Sequence, residues 1–163
     1  MGVAGSGKTV VGSAFARALG GDVEFVEGDD YHSAENVAKM ARGIPLTDAD
    51  RAAWLEALAA KIREARDAGR GLVMACSALK RTYRDVLRGG DGGSDVQFIF
   101  LRGSRELIAQ RLAQRRGHFM PPSLLDSQFA TLEQPAPDEH AWVYDVRQSP
   151  KEIVDDLLAR ARA

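Results

Sequence analysis

The sequence lacks several features that would each point to a particular class of protein. It has a single cysteine, Cys76, so no internal disulfide can form, which fits a reducing compartment. No apolar run approaches the roughly 18 residues of a membrane-spanning helix, and no signal-peptide pattern is present. Neither sign of charge dominates, because 22 Lys and Arg residues are balanced by 23 Asp and Glu residues. The formal net charge of −1 therefore predicts no general attraction to nucleic acid or to an anionic membrane, and we expect a cytoplasmic protein.

The pattern of apolar residues predicts a single α/β domain over residues 1–163. With 45% hydrophobic residues, the chain is long enough for one proper core and short for two. Short apolar runs alternate with longer helical patterns, which is typical of βαβ units and a parallel sheet. The predicted strands are Val23–Glu27, Leu72–Cys76, Val96–Leu101 and Trp142–Val146. The predicted helices are Gly7–Leu19, Ser33–Arg42, Asp48–Ala68, Leu79–Arg88, Ser104–Arg116, Pro122–Leu132 and Pro150–Arg162.

The most specific local pattern is a phosphate-binding loop in the opening residues, "MGVAGSGKT". Gly2, four further residues and then Gly7, Lys8 and Thr9 satisfy G-x-x-x-x-G-K-[ST], and Gly5 is a further residue without a side chain. Glycines let consecutive backbone N–H groups curl around phosphate oxygens, while Lys8 would reach the β- and γ-phosphates and Thr9 would bind Mg²⁺. A Gly/Ser-rich tail that matches by chance is disfavoured, because a helical pattern starts directly after the loop.

The strand that normally precedes this motif is nearly absent from the sequence. A phosphate-binding loop normally joins a buried strand to a helix, and only Met1 precedes the loop here. We therefore expect the first strand to be largely missing from this sequence because the chain starts late. With that strand restored, the pattern predicts a P-loop NTPase fold, in which a parallel five-stranded sheet has helices on both faces.

A first insertion, after the strand Val23–Glu27, contains charged residues that suit an acceptor site. Asp29 comes just after the strand, at the sheet edge where α/β proteins bind ligands, and could accept a proton from an acceptor hydroxyl. From spacing alone, a turn or helix-cap role for Asp29 is equally supported. His32, Lys39 and Arg51 follow on helical segments, where a solvated helix face is the simpler explanation for each residue alone.

A second insertion, "QRLAQRRGHFMPPSLLDSQFATLEQP", has the pattern of a lid over about residues 112–124. Arg111 and Arg115 lie four residues apart on one helix face and lead into Gly117. A basic helix end followed by a glycine hinge suits a segment that covers transferring phosphates and excludes water. The alternative is a basic surface helix end that is stabilised by its own dipole.

Four blocks of the sequence together resemble the gluconokinase family of small P-loop kinases. They are "GVAGSGKT", "GDDYHSAENVAKMARGIPLTDADRAAWL", "CSALKRTYRDVLR" and "RLAQRRGHFMPPSLLDSQFATLEQP", in order from Gly2 to about Pro135. The resemblance implies phosphorylation of D-gluconate on its 6-hydroxyl with ATP and Mg²⁺. It also implies a core similar to that of shikimate and nucleoside-monophosphate kinases, with strand order 2-3-1-4-5 and a substrate-binding segment at about residues 29–54.

The resemblance implies a role for each candidate site residue. The residues that bind ATP would be Gly2, Gly5, Ser6, Gly7, Lys8, Thr9 and Arg111. The catalytic residues would be Lys8, Asp29, Arg111 and Arg115. Gluconate would be contacted by Asp29, His32, Lys39, Arg51, Lys80 and Arg84. No acidic residue follows the strand Leu72–Cys76, so Mg²⁺ would be held by Thr9, phosphate oxygens and water, with Asp29 as a further candidate.

Two other functions fit parts of the pattern. Another small-molecule P-loop kinase, such as a shikimate or nucleotide kinase, would share the core, but the Lys39-Met40 block and "CSALK" are not expected there. A GTPase switch would need a DxxG segment and an N-K-x-D guanine reader, and the sequence contains neither. The number of subunits stays open, and a homodimer is compatible with the sequence.

Overall fold

The computed structural model describes residues 1–89, 95–114 and 121–163. The strands in these ranges are β1 (Glu24–Glu27), β2 (Leu72–Ala75), β3 (Ile99–Arg102) and β4 (Trp142–Asp145). The helices are α1 (Lys8–Leu19), α2 (Ala34–Ala41), α3 (Asp48–Asp67), α4 (Arg81–Arg88), α5 (Arg105–Gln114), α6 (Pro122–Thr131) and α7 (Pro150–Ala161). Two short 3-10 turns, Gly28–Tyr31 and Pro137–Glu139, complete the described elements.

The strands form two small parallel sheets. β1 pairs with β2 so that Glu27 faces Ala75, and β3 pairs with β4 so that Ile99 faces Trp142. Parallel neighbours need a crossover connection, and the helices between the strands supply it. The four predicted strands are confirmed, within one residue at each end except that the third starts at Ile99. A continuous five-stranded sheet is not observed in the described ranges, so its strand order stays a prediction.

The predicted helices are also confirmed, with ends that agree to within two residues in the described ranges. The predicted helix Ser104–Arg116 is α5 as far as Gln114, and its last two residues lie outside the described part of the chain. α3 begins at a capping box, in which the Thr47 hydroxyl accepts from Asp50 N at 3.1 Å and the Asp50 carboxylate accepts from Thr47 N at 2.9 Å. This cap fixes where the long helix beside the site starts.

Met1 lies between the two sheets. Its carbonyl accepts a hydrogen bond from Leu101 N at 3.0 Å, and its amino group donates to Ile99 O, both in β3. On the other side, Gly2 N donates to Ser77 O, just beyond the end of β2, at 3.1 Å. Burial lowers the pKa of the Met1 amino group to about 5. The start of the phosphate loop is therefore attached to both sheets.

An apolar slot continues from Met1 between residues of β2 and β3. Its volume is about 510 Å³, and residues from β2, from β3 and from α1 line it. Around it, α1 packs against α7 and both strands of the first sheet, while α3 packs against α4. None of the helices in the described ranges is long and apolar enough to span a membrane.

Candidate active site

The phosphate loop has the backbone that its glycines permit. Gly2, Gly5 and Gly7 have φ values of 142°, 79° and 96°, a region that residues with a Cβ rarely adopt. The loop is also tightly packed, because a Cβ on Gly2 would lie 2.8 Å from Leu101 O and one on Gly5 would lie 2.8 Å from Leu112 Cγ. α1 begins at the next residue after Gly7, so the positive end of its dipole faces the loop.

Polar side chains contact or belong to this loop and leave a concave space beside it. Lys8 Nζ donates to Val3 O at 3.0 Å, across the loop. Ser6 Oγ is buried and has no hydrogen-bond partner in the part of the chain that the structure describes. From α6, Gln128 Oε1 accepts a hydrogen bond from Ala4 N at 2.7 Å. A loop of this shape, with an unsatisfied hydroxyl, suits the binding of phosphate oxygens.

Carboxylate side chains lie at the carboxyl end of β1, next to the phosphate loop. Glu27, its last residue, accepts a hydrogen bond from the Thr9 hydroxyl at 2.6 Å. Asp29 follows on the turn Gly28–Tyr31, and 69% of its side chain is exposed. The described residues contain no cluster of three or more His, Cys, Asp or Glu side chains that could enclose a metal. Hydroxyl and carboxylate oxygens beside a phosphate loop do fit Mg²⁺, which is usually held by few protein oxygens together with phosphates and water.

His32 closes the other side of this turn. Its side chain is only 5% exposed, its ring stacks on that of Trp54 at 4.4 Å, and its Nε2 lies 3.9 Å from Asp29 Oδ1. Burial, with a smaller contribution from Arg51, lowers the pKa of His32 although Asp29 opposes the shift. The imidazole is therefore neutral at neutral pH.

Two arginines approach the cleft from opposite parts of the chain. Arg51, in α3, donates to Leu46 O at 2.5 Å, and Arg111, in α5, donates to Val146 O. Neither forms an ion pair with a carboxylate among residues 1–89, 95–114 and 121–163. Both guanidinium groups are thus held in place by hydrogen bonds to oxygens that carry no formal charge.

These groups surround one cleft of about 690 Å³. Eight of the predicted site residues line it: Gly5, Gly7, Lys8, Thr9, Asp29, His32, Arg51 and Arg111. Gly2 and Ser6 belong to the loop behind this lining, and both residues are buried. Arg115, together with residues 115–120 of the predicted lid, lies outside the described residues.

Lys39 and Lys80 do not line the cleft, and both are paired with carboxylates of α3. Lys39 Nζ is 2.6 Å from Asp50 Oδ1, and this contact, followed by the Thr47 backbone, lowers the pKa of Asp50 to about 2. Lys80 Nζ is 2.9 Å from Asp48, which also accepts a hydrogen bond from the Tyr83 hydroxyl. Their predicted contacts with gluconate would require these pairs to open.

The predicted gluconate contact of Arg84 is not supported by its position. Arg84 is fully buried, with 0% exposure, and forms a bidentate pair with Glu139 at 2.5 and 2.8 Å. Its remaining nitrogen donates to the carbonyl oxygens of Ala78, Leu79 and Glu133. All its hydrogen-bonding capacity in this arrangement serves the packing of α4, so Arg84 has a structural role here.

Three residues at the site were not singled out by the sequence. Glu27 was visible only as the end of a strand, Gln128 as one polar residue of a predicted lid flank, and Trp54 as one aromatic residue on a helix. Their contacts with Thr9, the phosphate loop and His32 join segments far apart in sequence. Only the position of Glu27 next to the sheet edge gave a signal that could have found it.

Known proteins are similar to this chain over most of its length. A family model described as an AAA domain matches residues 1–135. A gluconokinase from Gluconobacter oxydans is 46% identical over 163 residues, covering 100% of this chain and 89% of the relative. A solved structure of a gluconokinase from Sinorhizobium meliloti is 48% identical with a TM-score of 0.85, covering 98% of this chain and 87% of that one. The Mycobacterium tuberculosis APS kinase CysC, solved with AMPPNP and APS, has a TM-score of 0.73 at 19% identity over 100% of this chain and 95% of that one, which shows a shared P-loop kinase fold.

Proposed function

The chain belongs to the gluconokinase family, and we propose that it transfers the γ-phosphoryl group of ATP to the 6-hydroxyl of D-gluconate, giving 6-phospho-D-gluconate and ADP. The observation that carries this proposal is the cleft itself. It brings a phosphate loop, a carboxylate and two arginines without carboxylate partners in the described residues into one volume of about 690 Å³. That volume is in the usual range for small-molecule sites.

The residues divide the reaction between them. The loop from Gly2 to Thr9 binds the phosphates of ATP through backbone N–H groups, and the Lys8 ammonium neutralises charge on the β- and γ-phosphates. Asp29 orients the acceptor hydroxyl and takes its proton as that oxygen bonds to the γ-phosphorus and the bond to ADP breaks. Arg111 neutralises the charge that spreads over the phosphoryl oxygens.

When bound beside the loop, Mg²⁺ would supply positive charge that offsets part of the charge on the phosphates. Thr9 Oγ1 would hold it, and the Glu27 carboxylate, 2.6 Å from that hydroxyl, would keep the hydroxyl oriented. This arrangement would replace the acidic metal-binding residue that is absent after β2, where the sequence has Cys76 and Ser77.

Gluconate differs from a neutral polyol by its carboxylate, and we assign Arg51 to that group. Arg51 borders the cleft on the acceptor side, and its guanidinium donates to Leu46 O and, at 3.4 Å, to the Tyr83 hydroxyl. Neither partner cancels its charge.

The second candidate function is phosphorylation of another small molecule by the same P-loop core. No specific contact in the described residues favours this alternative.

The experiment that tests the proposed function is an ADP-release assay with ATP and Mg²⁺ over a panel of sugar acids, polyols, shikimate and nucleotides. We expect gluconate to give the highest kcat/KM, and ³¹P and ¹³C NMR of the product to place the phosphate on the 6-oxygen. Lys8→Ala is the matched inactive control, because removal of its charge should abolish turnover without unfolding the protein. Preferred turnover of a nucleotide or of shikimate would contradict the proposal.

We propose further that the apolar slot takes a fifth strand. If this strand is counted as the first and β1 to β4 as the second to fifth, the sheet order is 2-3-1-4-5. The bonds of Met1 to β3 and of Gly2 to Ser77 support one strand between the two sheets. Adding about five apolar residues before Met1 should raise the melting temperature, because a central parallel strand is buried on both faces. An added Gly/Ser segment of equal length is the control, and equal melting temperatures would contradict the proposal.

The remaining finer assignments are proposals of the same kind. We place the reaction in the cytoplasm, and we expect neither a nucleic acid nor a membrane as partner. A lid at about residues 112–124, with Arg115 as a second cation over the phosphates, would complete the site.

A further inference from the structure

Trp54 makes two contacts that bracket the turn carrying Asp29. Its indole Nε1 donates to Gly28 O at 2.7 Å, immediately before Asp29 in the chain. Its ring stacks on the imidazole of His32, three residues after Asp29, with centroids 4.4 Å apart and planes 14° from parallel. One side chain of α3 therefore holds the turn Gly28–Tyr31 at both ends.

The opposite side of the turn is held by β2. A Cβ on Gly28 would lie 2.6 Å from Ala75 O and 3.4 Å from Leu58 Cδ1, so the backbone there has no room to shift toward the sheet. His32 N donates to Asp29 O at 3.2 Å, which closes the turn. The turn is thus enclosed between a strand and the indole of Trp54.

Asp29 depends on this backbone for its position. Its side chain is 69% exposed, so neighbouring packing contributes little to where the carboxylate points. The His32 imidazole, whose Nε2 lies 3.9 Å from Asp29 Oδ1, is itself held by its stack on Trp54, because its Nδ1 is buried without a hydrogen-bond partner in the described residues. The Trp54 ring is what fixes the imidazole.

A purely structural role for Trp54 is the simpler alternative. The residue is only 2% exposed and belongs to a core cluster that includes Leu87 of α4. Two facts go beyond packing. Trp54 borders the cleft together with His32 and Asp29, and its N–H bonds to the carbonyl that precedes Asp29 rather than to any group of α3.

We propose that Trp54 is a positioning residue for the acceptor: through Gly28 and His32 it sets the orientation of the Asp29 carboxylate toward the hydroxyl that is phosphorylated. The inference rests on the proposed role of Asp29 as the group that takes the acceptor proton. A tilt of the turn would misalign that carboxylate while the phosphate loop, on another segment, keeps its hold on ATP.

Trp54→Phe is the direct test, because phenylalanine keeps an aromatic face for His32 and removes the indole N–H. We expect kcat to fall about tenfold, with KM for ATP changed less than about twofold. Leu87→Ala is the matched control, since it opens a cavity in the same core cluster from α4, a helix that contributes no residue to the cleft lining. It should lower the melting temperature at least as much and keep kcat at temperatures where it is folded. Equal losses of kcat in both variants would overturn the inference.

A double-variant cycle shows whether Trp54 acts through Asp29. Asp29→Asn alone should lower kcat by roughly 10²-fold, the scale of a lost general base. Adding Trp54→Phe should then lower kcat little further, because no base is left to orient. If Trp54→Phe instead keeps its full effect in the Asp29→Asn background, the inference is wrong and the proposed role of Asp29 stands. If Asp29→Asn has normal kcat, both the base role and the inference are wrong.

Should Trp54→Phe fail to fold, benzothienylalanine at position 54 provides the same test. This residue replaces the indole N–H by sulfur and keeps both fused rings, so the stack on His32 and the core packing persist. A kcat loss of about tenfold is expected, with a smaller fall in the melting temperature than that of Leu87→Ala, because only the hydrogen bond to Gly28 is lost. Normal kcat in that variant would overturn the inference, because the hydrogen bond to Gly28 would then be dispensable.

Discussion

This protein has two groups of cationic side chains that differ in which groups they bond to. Arg51 and Arg111 line the cleft and donate to backbone carbonyl oxygens. The second group lies outside that lining and is bonded to carboxylates: Lys39 to Asp50, Lys80 to Asp48 and Arg84 to Glu139. A carbonyl oxygen satisfies an N–H donor without cancelling its charge, whereas a carboxylate does both.

We interpret this difference as a division between residues proposed to bind an anion and residues that hold the fold. A cation bonded to a carbonyl can meet a phosphate or a carboxylate with no competing charge to displace. A cation that is already paired must first leave its partner, and a buried partner would then be left uncompensated. The following predictions test this division, from the largest expected effect to the smallest.

Arg84→Met should destabilise the folded protein by about 3–5 kcal/mol, because it leaves the buried Glu139 carboxylate without its partner. Denaturant unfolding measures this change. The double variant Arg84→Met with Glu139→Leu removes both charges and should recover most of the loss. At a temperature where Arg84→Met is still folded, its KM for gluconate should be normal. A raised KM without a loss of stability would return Arg84 to the substrate site.

The same pair predicts a pH dependence of stability. Arg84, followed by the Ala136 backbone N–H as the second favourable contact, lowers the pKa of Glu139 in the folded protein although burial opposes the shift. A carboxyl with a lowered folded pKa contributes stability that is present above its unfolded pKa and is lost as the pH falls through the folded pKa. Glu139→Gln should therefore make the stability less sensitive to acid below about pH 4.3. An unchanged pH profile would contradict the pairing.

Arg111→Ala should lower kcat by about 10²-fold or more if this guanidinium, which lines the cleft, neutralises charge during transfer as proposed. Its single described hydrogen bond, to Val146 O, makes only a small change in melting temperature the expected result. Arg105→Ala is the control on the same helix, since Arg105 is exposed and pairs with Asp126. Steady-state kinetics of both variants decide, and a similar kcat for the two would remove Arg111 from the reaction.

Arg51→Gln should lower kcat/KM for gluconate about tenfold and leave that for sorbitol nearly unchanged. The reason is that only gluconate has a carboxylate for Arg51 to meet. Glutamine keeps a donor for Leu46 O, so the start of α3 should stay in place. Parallel losses on both acceptors would mean that Arg51 supports the fold of the cleft instead of reading the charge.

Lys80→Met should change kcat/KM for gluconate by less than about threefold. Lys80 is already paired with Asp48, and an exposed pair contributes little to stability. Asp48 would keep its hydrogen bond from the Tyr83 hydroxyl. A loss as large as that of Arg51→Gln, measured in the same assay, would show that paired cations are also recruited by the substrate.

The sequence predicted most of the scaffold for physical reasons that are local. Apolar periodicity, glycine punctuation and the Thr47–Asp50 cap are properties of neighbouring residues, and the helices and strands they predict are confirmed. The starting point of β3 was missed because Val96 is partly buried and Phe98 is buried, although neither residue is part of the described strand. Burial and strand pairing leave the same hydrophobic signal in a short run.

The site was predictable only where it follows from a loop or a strand end. Four predicted loop residues, Gly5, Gly7, Lys8 and Thr9, line one cleft with Asp29 because their positions are fixed by local geometry. The cations could be named from the sequence, but the sequence does not show which of them bond to carboxylates and which to carbonyl oxygens. Arg84 bonds to Glu139, 55 residues away, whereas Arg111 bonds to the carbonyl oxygen of Val146. That sorting depends on tertiary contacts, as does the stack of Trp54 on His32.

The most direct test of this account is the ratio of kcat/KM for gluconate to that for sorbitol, measured by ADP release with the unmodified chain. A site with a cation held ready for a carboxylate leaves that charge unmet when a neutral polyol binds. We predict a ratio of roughly 10² or more in favour of gluconate. A ratio near one would contradict the claim that the cleft of this kinase reads the carboxylate of its acceptor.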